Sequence, residues 1–377
     1  MEDYQIGKGR AEQYDELIDF GNMVFREDFK ALLPKLYDHH PETARCHYII
    51  EENQRVRAMV GSFPITLHVN GEELAMRGIG TVSAHPYDRG KGYMSRLMPL
   101  AVREAKEHGA ALMVLSGNRQ RYERFGFARC GTVVQFTMIP ENRRHCRAIS
   151  TDGITLLPLA ENMEYLAACA ALHDRQPLHA RRREERFLEI AQSWNARVYV
   201  LLKEAGFAGY CCVNNEGLIQ ELVLADEEMT LPAVMKLLEK EKRELTFSVP
   251  YYKTKMAGEF MKVAEGFHLF SGPSFQVFDY PRVIKAFLGL KAGVFKLQQG
   301  SLVIEVQGVG RYEICVRDQT VTVAEEKDKE AALSLPPLDM MRTLFAPESS
   351  LLHRTSENPM IRSWLPIPIC FPQQDNV

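Results

Sequence analysis

Apolar positions change their period several times along the 377-residue chain, and each change marks an element. In "YDELIDFGNMVF", Leu17, Phe20, Val24 and Phe25 recur at helical spacing, and "DFKALLPKLY" reads as a second helix broken near Pro34. From His47 to His85 the pattern becomes a succession of strands, with Asn70-Gly71 as a hairpin turn. Between Tyr93 and His108 the apolar side chains Met94, Leu97, Met98, Ala101, Val102 and Ala105 share one helical face, and Gly109 stands where a helix stops. "AALMVLS" is a continuously apolar run suited to a buried strand, followed by "GNRQRYERFGFARC" and a further strand, "TVVQFTMI". This order predicts a mixed α/β domain of about 145 residues, a normal domain size.

A similar order recurs from Arg197 to Pro250: strand, turn, strand, a turn at Asn214-Asn215-Glu216-Gly217, strand, helix, strand. It matches the run from Val56 to Ser116, and a second copy of the same fold is inferred, against the alternative of a chance match. From Tyr280-Pro281 onward, "RVIKAFLGL" is helical, "GSLVIEVQG", "GRYEICVRD" and "TVTVAEE" alternate as strands, "LDMMRTLF" is helical again, and the end is proline-rich. The expected divisions are 1–147, 148–280 and 281–377.

Composition narrows the function classes. A 46% hydrophobic content supports large cores, and a formal net charge of −3 gives no general nucleic-acid surface. The eight cysteines have no Cys-x-x-Cys spacing, and no Cys/His pattern of zinc type occurs, so no metal is expected. No run reaches the roughly 20 apolar residues needed to span a bilayer, and the polar start lacks a signal-peptide core, so a soluble, cytoplasmic chain without a membrane partner is expected.

The segment that points to chemistry is "VSAHPYDRGKGYMSRLM", Val82 to Met98, which joins a strand to a helix. The first N–H groups of a helix have no intrahelical partner, and the helix dipole makes that end partly positive. Gly90 and Gly92 allow close approach to the main chain, while Arg89 and Lys91 add charge, which suits a phosphate cradle. The spacing fits neither the nucleotide P-loop nor the dinucleotide turn. The alternative is a plain basic turn. In the second copy this turn is replaced by the acidic "ADEEMT", Ala225 to Thr230, which would repel a diphosphate.

On "DRGKGYMSRLM" and the downstream "RYERFGF", the first domain resembles the GNAT acetyltransferase superfamily, matching its pyrophosphate turn at Arg89 and Gly92 and its Tyr-x-x-x-Gly-Phe element. Met94 departs from the small residue usual there. Over the whole chain, an active GNAT domain, a degenerate second one and a domain similar to sterol carrier proteins resemble the Eis-like (enhanced intracellular survival) acetyltransferases. The fold class implied is α/β (α+β): two tandem GNAT-like mixed-sheet domains followed by a sterol-carrier-like α+β domain. The activity implied is acetyl transfer from acetyl-CoA to an amine, aminoglycoside-like or another polyamine, or a protein lysine, within a hexamer.

The resemblance also implies roles. Acetyl-CoA would be held by the edge of the strand at Val82, Ser83 and Ala84, by the turn from Arg89, Gly90, Lys91 and Gly92 to Tyr93 and Met94, and by Ser116 and Asn118, with the Val82 backbone facing the thioester carbonyl as an oxyanion donor. Tyr122 matches the tyrosine that protonates the departing thiolate, its alternative being to pack with Phe125 and Phe127. The C-terminal carboxylate, here on Val377, would help remove the amine proton, although relatives tend to end in an aromatic residue; the alternative is an untethered tail. Glu27 and Asp28 are candidates for orienting a cationic acceptor, against an ordinary helix-surface pair, and His85 for relaying a proton, against a solvated turn histidine. "RRREER", Arg181 to Arg186, reads as a solvated face or subunit contact, and Tyr251-Tyr252 as packing. A rival function is a hydrophobic-ligand carrier acting through the C-terminal domain, its sign an open apolar cavity not filled by "WLPIPICFP".

Overall fold

The longest strands, Arg55–Val69 and Glu72–Ala84, are joined by Asn70 and Gly71, both at positive φ (50° and 83°), the geometry that a two-residue hairpin demands. The structure is a computed structural model; it describes residues 4–144, 146, 148–353 and 355–377, so the expected boundary at 147 lies outside the described residues. Around this hairpin the first sheet runs, in spatial order, Gln5–Lys8, His47–Glu52, Arg55–Val69, Glu72–Ala84, Leu112–Leu115, Ser274–Val277 and Ala128–Arg129, with Leu178–Ala180 added along Arg55–Val69. Helix Tyr93–Glu107 buries Tyr93, Leu97, Met98, Ala101 and Ala105 against Ile50, Val60, Ile79 and Met113. Met94 and Val102, expected on the same face, are half-buried at its margin.

The second sheet runs Gly266–Ser271, Thr132–Met138, Leu245–Pro250, Leu218–Leu224, Gly206–Asn214, Ala196–Lys203 and Ile154–Pro158. Its strand Leu218–Leu224 leads through helix Thr230–Glu241 to a parallel partner, Leu245–Pro250, as Glu72–Ala84 leads through its helix to Leu112–Leu115. Sheet membership departs from chain order in two places. "TVVQFTMI", expected to close the first domain, sits in the second sheet, because Val134, Phe136 and Met138 alternate onto that core, where the Phe136 and Phe260 rings stack at 5.3 Å. Conversely, Ser274–Val277 enters the first sheet between Leu112–Leu115 and Ala128–Arg129, with Phe275 fully buried.

A third, four-stranded sheet orders Thr320–Glu325, Gly310–Arg317, Gly300–Val306 and Leu333–Leu335, with helices Tyr280–Ala292 and Pro337–Phe345 contributing to its core. That core is continuous with Leu67, Leu74 and Leu112 of the first sheet, and Trp364, Ile367 and Ile369 of "WLPIPICFP" are buried in it. Each such side chain contributes about 1.5–3 kcal/mol by leaving water. The Lys291 ammonium donates to the carbonyls of Trp364 (2.9 Å) and Pro366 (3.1 Å), and Ile367 N–H donates to Leu344 O at 2.7 Å. The segment is thereby directed out of the third unit toward the first two sheets. Among the described residues no helix is long and apolar enough to cross a membrane.

Candidate active site

The site begins where a ladder ends. Glu72–Ala84 pairs in parallel with Leu112–Leu115 from Met76↔Leu112 to Ile79↔Leu115, then continues alone to Ala84. On its other side the register passes from Gly61↔Gly80 to Met59↔Ser83, so Thr81 and Val82 together stand opposite Val60, a bulge in which Thr81 takes φ 49°. A bulge increases twist and re-aims the strand, which opens a fork at Gly80–Ala84 and frees main-chain groups of Val82 from the ladder.

Beyond the fork lies the basic turn. Gly90 and Gly92 adopt φ 91° and 78°, a Cβ on either would meet open space, and Gly92 is the N-cap of helix Tyr93–Glu107. Among the described residues the N–H groups of Gly90, Gly92, Tyr93 and Met94 have no acceptor, and the exposed Arg89 side chain forms no ion pair. Lys91 differs from expectation: its ammonium is bound to Asp88 at 2.7 Å. Asp88, only 3% exposed, also holds Arg57 at 2.5 Å, and the two cations together keep its carboxyl below its ordinary value although burial pushes the other way. Asp88 and Arg57, which the sequence reading passed over, thus shape the turn, while Arg89 and the backbone are left for an anion. These features fit the diphosphate of a CoA donor.

At the opposite mouth of the fork is a cavity of about 810 Å3. Thr81, Val82, Ser116, Tyr122 and Val377 line it from the strand Glu72–Ala84, the segment after Leu112–Leu115 and the tail; Phe25 and Phe29 from the helices Tyr14–Phe25 and Phe29–Leu32, with Glu27 in the bend between them; and Asn214, Glu216 and Gln220 from the second sheet and its turn. Tyr122, on helix Arg119–Glu123, is 6% exposed and packs over Gly117, where a Cβ would come within 2.5 Å of its ring. Burial raises the phenol above its ordinary value of 10, opposed in part by Arg121, so Tyr122 carries its proton at neutral pH.

Val377 lies against the strand at the fork itself. A Cβ on Gly80 would stand 2.8 Å from the carboxyl carbon of Val377, and one on Gly78 would stand 2.6 Å from its side chain; the two glycines make room for the chain end. The tail is tied down residue by residue. Gln374 donates to the carbonyls of Ile190, Ala191 and Ser193 and its own carbonyl accepts from the Lys35 ammonium at 2.7 Å; Trp194 Nε1 donates to Asn376 O at 3.1 Å. Asp375 accepts two hydrogen bonds from Arg182, at 3.0 and 2.7 Å, a planar fork matched to a carboxylate. Arg182 also holds Glu221 at 3.0 Å, whose other oxygen accepts from Tyr210 at 2.8 Å and lies 3.2 Å from His173 Nδ1. Burial would raise Glu221, yet Arg182 and these partners keep its carboxyl far below its ordinary range.

The structure therefore brings together Val82, Ser116, Asn118, Tyr122, Glu27 and Val377 around one cavity. Other candidates serve elsewhere. Asp28 is the N-cap of Phe29–Leu32, its Oδ1 accepting from Lys30 and Ala31 N–H at 3.1 and 3.3 Å, and it is not among the residues that line the cavity. His85 accepts from Tyr87 N–H at 3.4 Å and packs near Phe20, away from the cavity lining. Ser83 Oγ donates to Thr81 O, and the Asn118 side chain caps its own helix through Gln120 N–H. Arg182 corrects the solvated reading of "RRREER": it is 5% exposed, on the inward side of an alternation that begins with Leu178 and Ala180 in the preceding strand, and that alternation was the available signal. Among the described residues no group of three or more His, Cys, Asp or Glu could hold a metal ion.

A family model described as an acetyltransferase (GNAT) domain matches residues 5–130, the part of the chain that builds the fork, the cradle and Tyr122. The fold of the whole chain is similar to that of a GCN5-related N-acetyltransferase from Anabaena variabilis (15% identity, 98% of each chain covered, TM-score 0.69) and to one from Kribbella flavida (14% identity, 96% of this chain and 95% of that one, TM-score 0.67). It is likewise similar to Eis1 from Mycobacterium abscessus (13% identity, 99% and 100% covered, TM-score 0.66). No curated protein matches the chain. The family match thus falls on the residues that form the fork and its anion cradle: residues 5–130 match an acetyltransferase (GNAT) domain.

Proposed function

We propose that the protein transfers the acetyl group of acetyl-CoA to a cationic amine that enters the 810 Å3 cavity, with Tyr122 as general acid and the Val377 carboxylate as general base. The observation that carries this reading is that a buried, protonated phenol and the Val377 carboxylate line the same cavity as the bulge at Thr81-Val82. Arg89 and the free N–H groups of Gly90, Gly92, Tyr93 and Met94 bind the CoA diphosphate, and the unpaired strand edge Gly80–Ala84 takes the pantetheine amides as an added strand would. The Val377 carboxylate takes a proton from the ammonium of the acceptor, the neutral nitrogen forms its bond to the thioester carbon, and Val82 N–H donates to the oxygen on which charge develops. As the carbon–sulfur bond breaks, Tyr122 gives its proton to the CoA thiolate.

Glu27, Glu216 and Val377 surround the cavity with carboxylates, which favours a polycationic acceptor such as an aminoglycoside or polyamine, or a lysine side chain. The carrier reading loses support because Trp364, Ile367 and Ile369 occupy the core beside the third sheet. A three-part division into two GNAT-like units and a sterol-carrier-like unit, and a hexameric assembly, belong to the same proposal. The test is CoA thiol release from acetyl-CoA against aminoglycosides, simple polyamines and lysine peptides. Turnover with at least one cationic class is expected; turnover with none, in a protein that binds acetyl-CoA, would contradict the acceptor assignment.

A further inference from the structure

Behind the acceptor cavity is a second chamber of about 450 Å3, within the roughly 300–1,000 Å3 of small-molecule sites. It opens at the second sheet's own fork. Leu218–Leu224 and Leu245–Pro250 pair only at Leu218↔Thr246 and Ile219↔Phe247, and beyond that point Gln220–Val223 and Phe247–Pro250 contribute to the chamber walls. The turn after this fork offers no diphosphate cradle: Asp226 caps it, accepting from Glu228 N–H at 3.0 Å. The tail forms a partition, and Ser116, Gly117, Gln220, Gln373 and Asn376 line both chambers, so the two are adjacent.

Most polar groups on the inner walls are already matched. Both Glu221 oxygens are taken by Tyr210, His173 and Arg182, His173 Nε2 lies 2.8 Å from Ala180 O, and Arg129 donates to Gly117 O at 3.0 Å. Two groups are not. The Lys253 side chain forms no ion pair or hydrogen bond among the described residues. Gln220 is 9% exposed and its carboxamide oxygen has no partner. Phe247, Phe270, Leu222, Ile369 and Phe371 make the rest of the surface apolar. Lys253 is half-buried beside these apolar side chains, with Glu227 and Glu221 acting on it only at a distance, and a bound anion gives its ammonium a direct partner.

We propose that the inner chamber is a binding site for the carboxylate of an apolar molecule, with the Lys253 ammonium on the carboxylate and Phe247 and Phe270 against the apolar body. Burial lowers Lys253 below its ordinary value, and an anion beside it restores the charged form. The carboxylate arrives either on a free anion or as the far end of an amine acceptor that extends from the adjacent cavity; the second source rests on the acetyl-transfer reading above.

Octanoate is titrated calorimetrically into the full chain and into Lys253→Met and Lys253→Gln, with 1-octanol as the uncharged control and thermal unfolding to verify folding of both variants. Octanoate binding is expected, weakened about tenfold or more in either variant, as for loss of one charge-assisted hydrogen bond, with octanol insensitive to the substitution. A second arm compares 8-aminooctanoate with octylamine as acceptors in CoA release. A Lys253-dependent preference for 8-aminooctanoate assigns the carboxylate to the acceptor; octanoate binding without that preference assigns it to a free anion. Absence of octanoate binding, or equal affinity in wild type and both variants, overturns the site. Because the first arm needs no turnover, it separates failure of this proposal from failure of the acetyl-transfer reading.

Discussion

In the proposed reaction Tyr122, which burial keeps protonated, is the acid and the Val377 carboxylate, which lies against Gly80, is the base. Replacing Tyr122 by Phe keeps the packing over Gly117 and removes the proton. A loss of about 10²- to 10⁴-fold in kcat is expected, with the KM for acetyl-CoA nearly unchanged, read by steady-state thiol release. A rate within about twofold of wild type would assign Tyr122 to packing alone. The residues legible in the sequence were those whose backbone is special or whose motif is local: Gly90 and Gly92 need positive φ, and Tyr122 lies within one short run. Lys91 was read as a free cation because its partner, Asp88, is buried by the fold of the turn, which spacing does not reveal.

At the scale of elements, the final segment behaves as a strap across two sheets, and Arg182 is its clasp. Arg182→Met leaves Asp375 and Glu221 buried without their common cation, a loss of roughly 3–5 kcal/mol for a broken buried pair. Activity and thermal stability are expected to fall together. The pH dependence has a defined sign. Glu221 is held below its ordinary value of 4.5 in the folded chain, so its contribution is complete above that pH and is lost as pH falls through the folded value. The stability gap between wild type and Arg182→Met should therefore narrow on acidification below about pH 4.5; a gap constant with pH, in paired unfolding curves, would contradict this role for Arg182. Helix Tyr14–Phe25 and the Asn70-Gly71 hairpin were legible from period and turn chemistry alone. The Arg182 network was not, because it joins positions 182, 221 and 375 through tertiary contact.

For the whole molecule, sheets that trade strands do not divide at a point in the chain. The repeat of strand, helix and parallel strand was visible in the sequence, since each copy carries its own periodicity. The placement of Ser274–Val277 beside Leu112–Leu115 was not, because four residues with two apolar ones fit any sheet and only the packing of Phe275 and Val277 selects this one. A chain ending at residue 147 lacks that strand and exposes the face that Leu67, Leu74 and Leu112 share with the third unit. It should show no cooperative unfolding by circular dichroism; a cooperative transition and CoA release from this piece would contradict the interlocked fold. The most direct test of the account is thiol release by the chain lacking only Val377, in which the anchors at Asp375 and Asn376 stay and the carboxylate moves back from Gly80. The account predicts a fall in kcat of about a hundredfold or more at unchanged acetyl-CoA affinity; a truncated chain that keeps the full rate would contradict it.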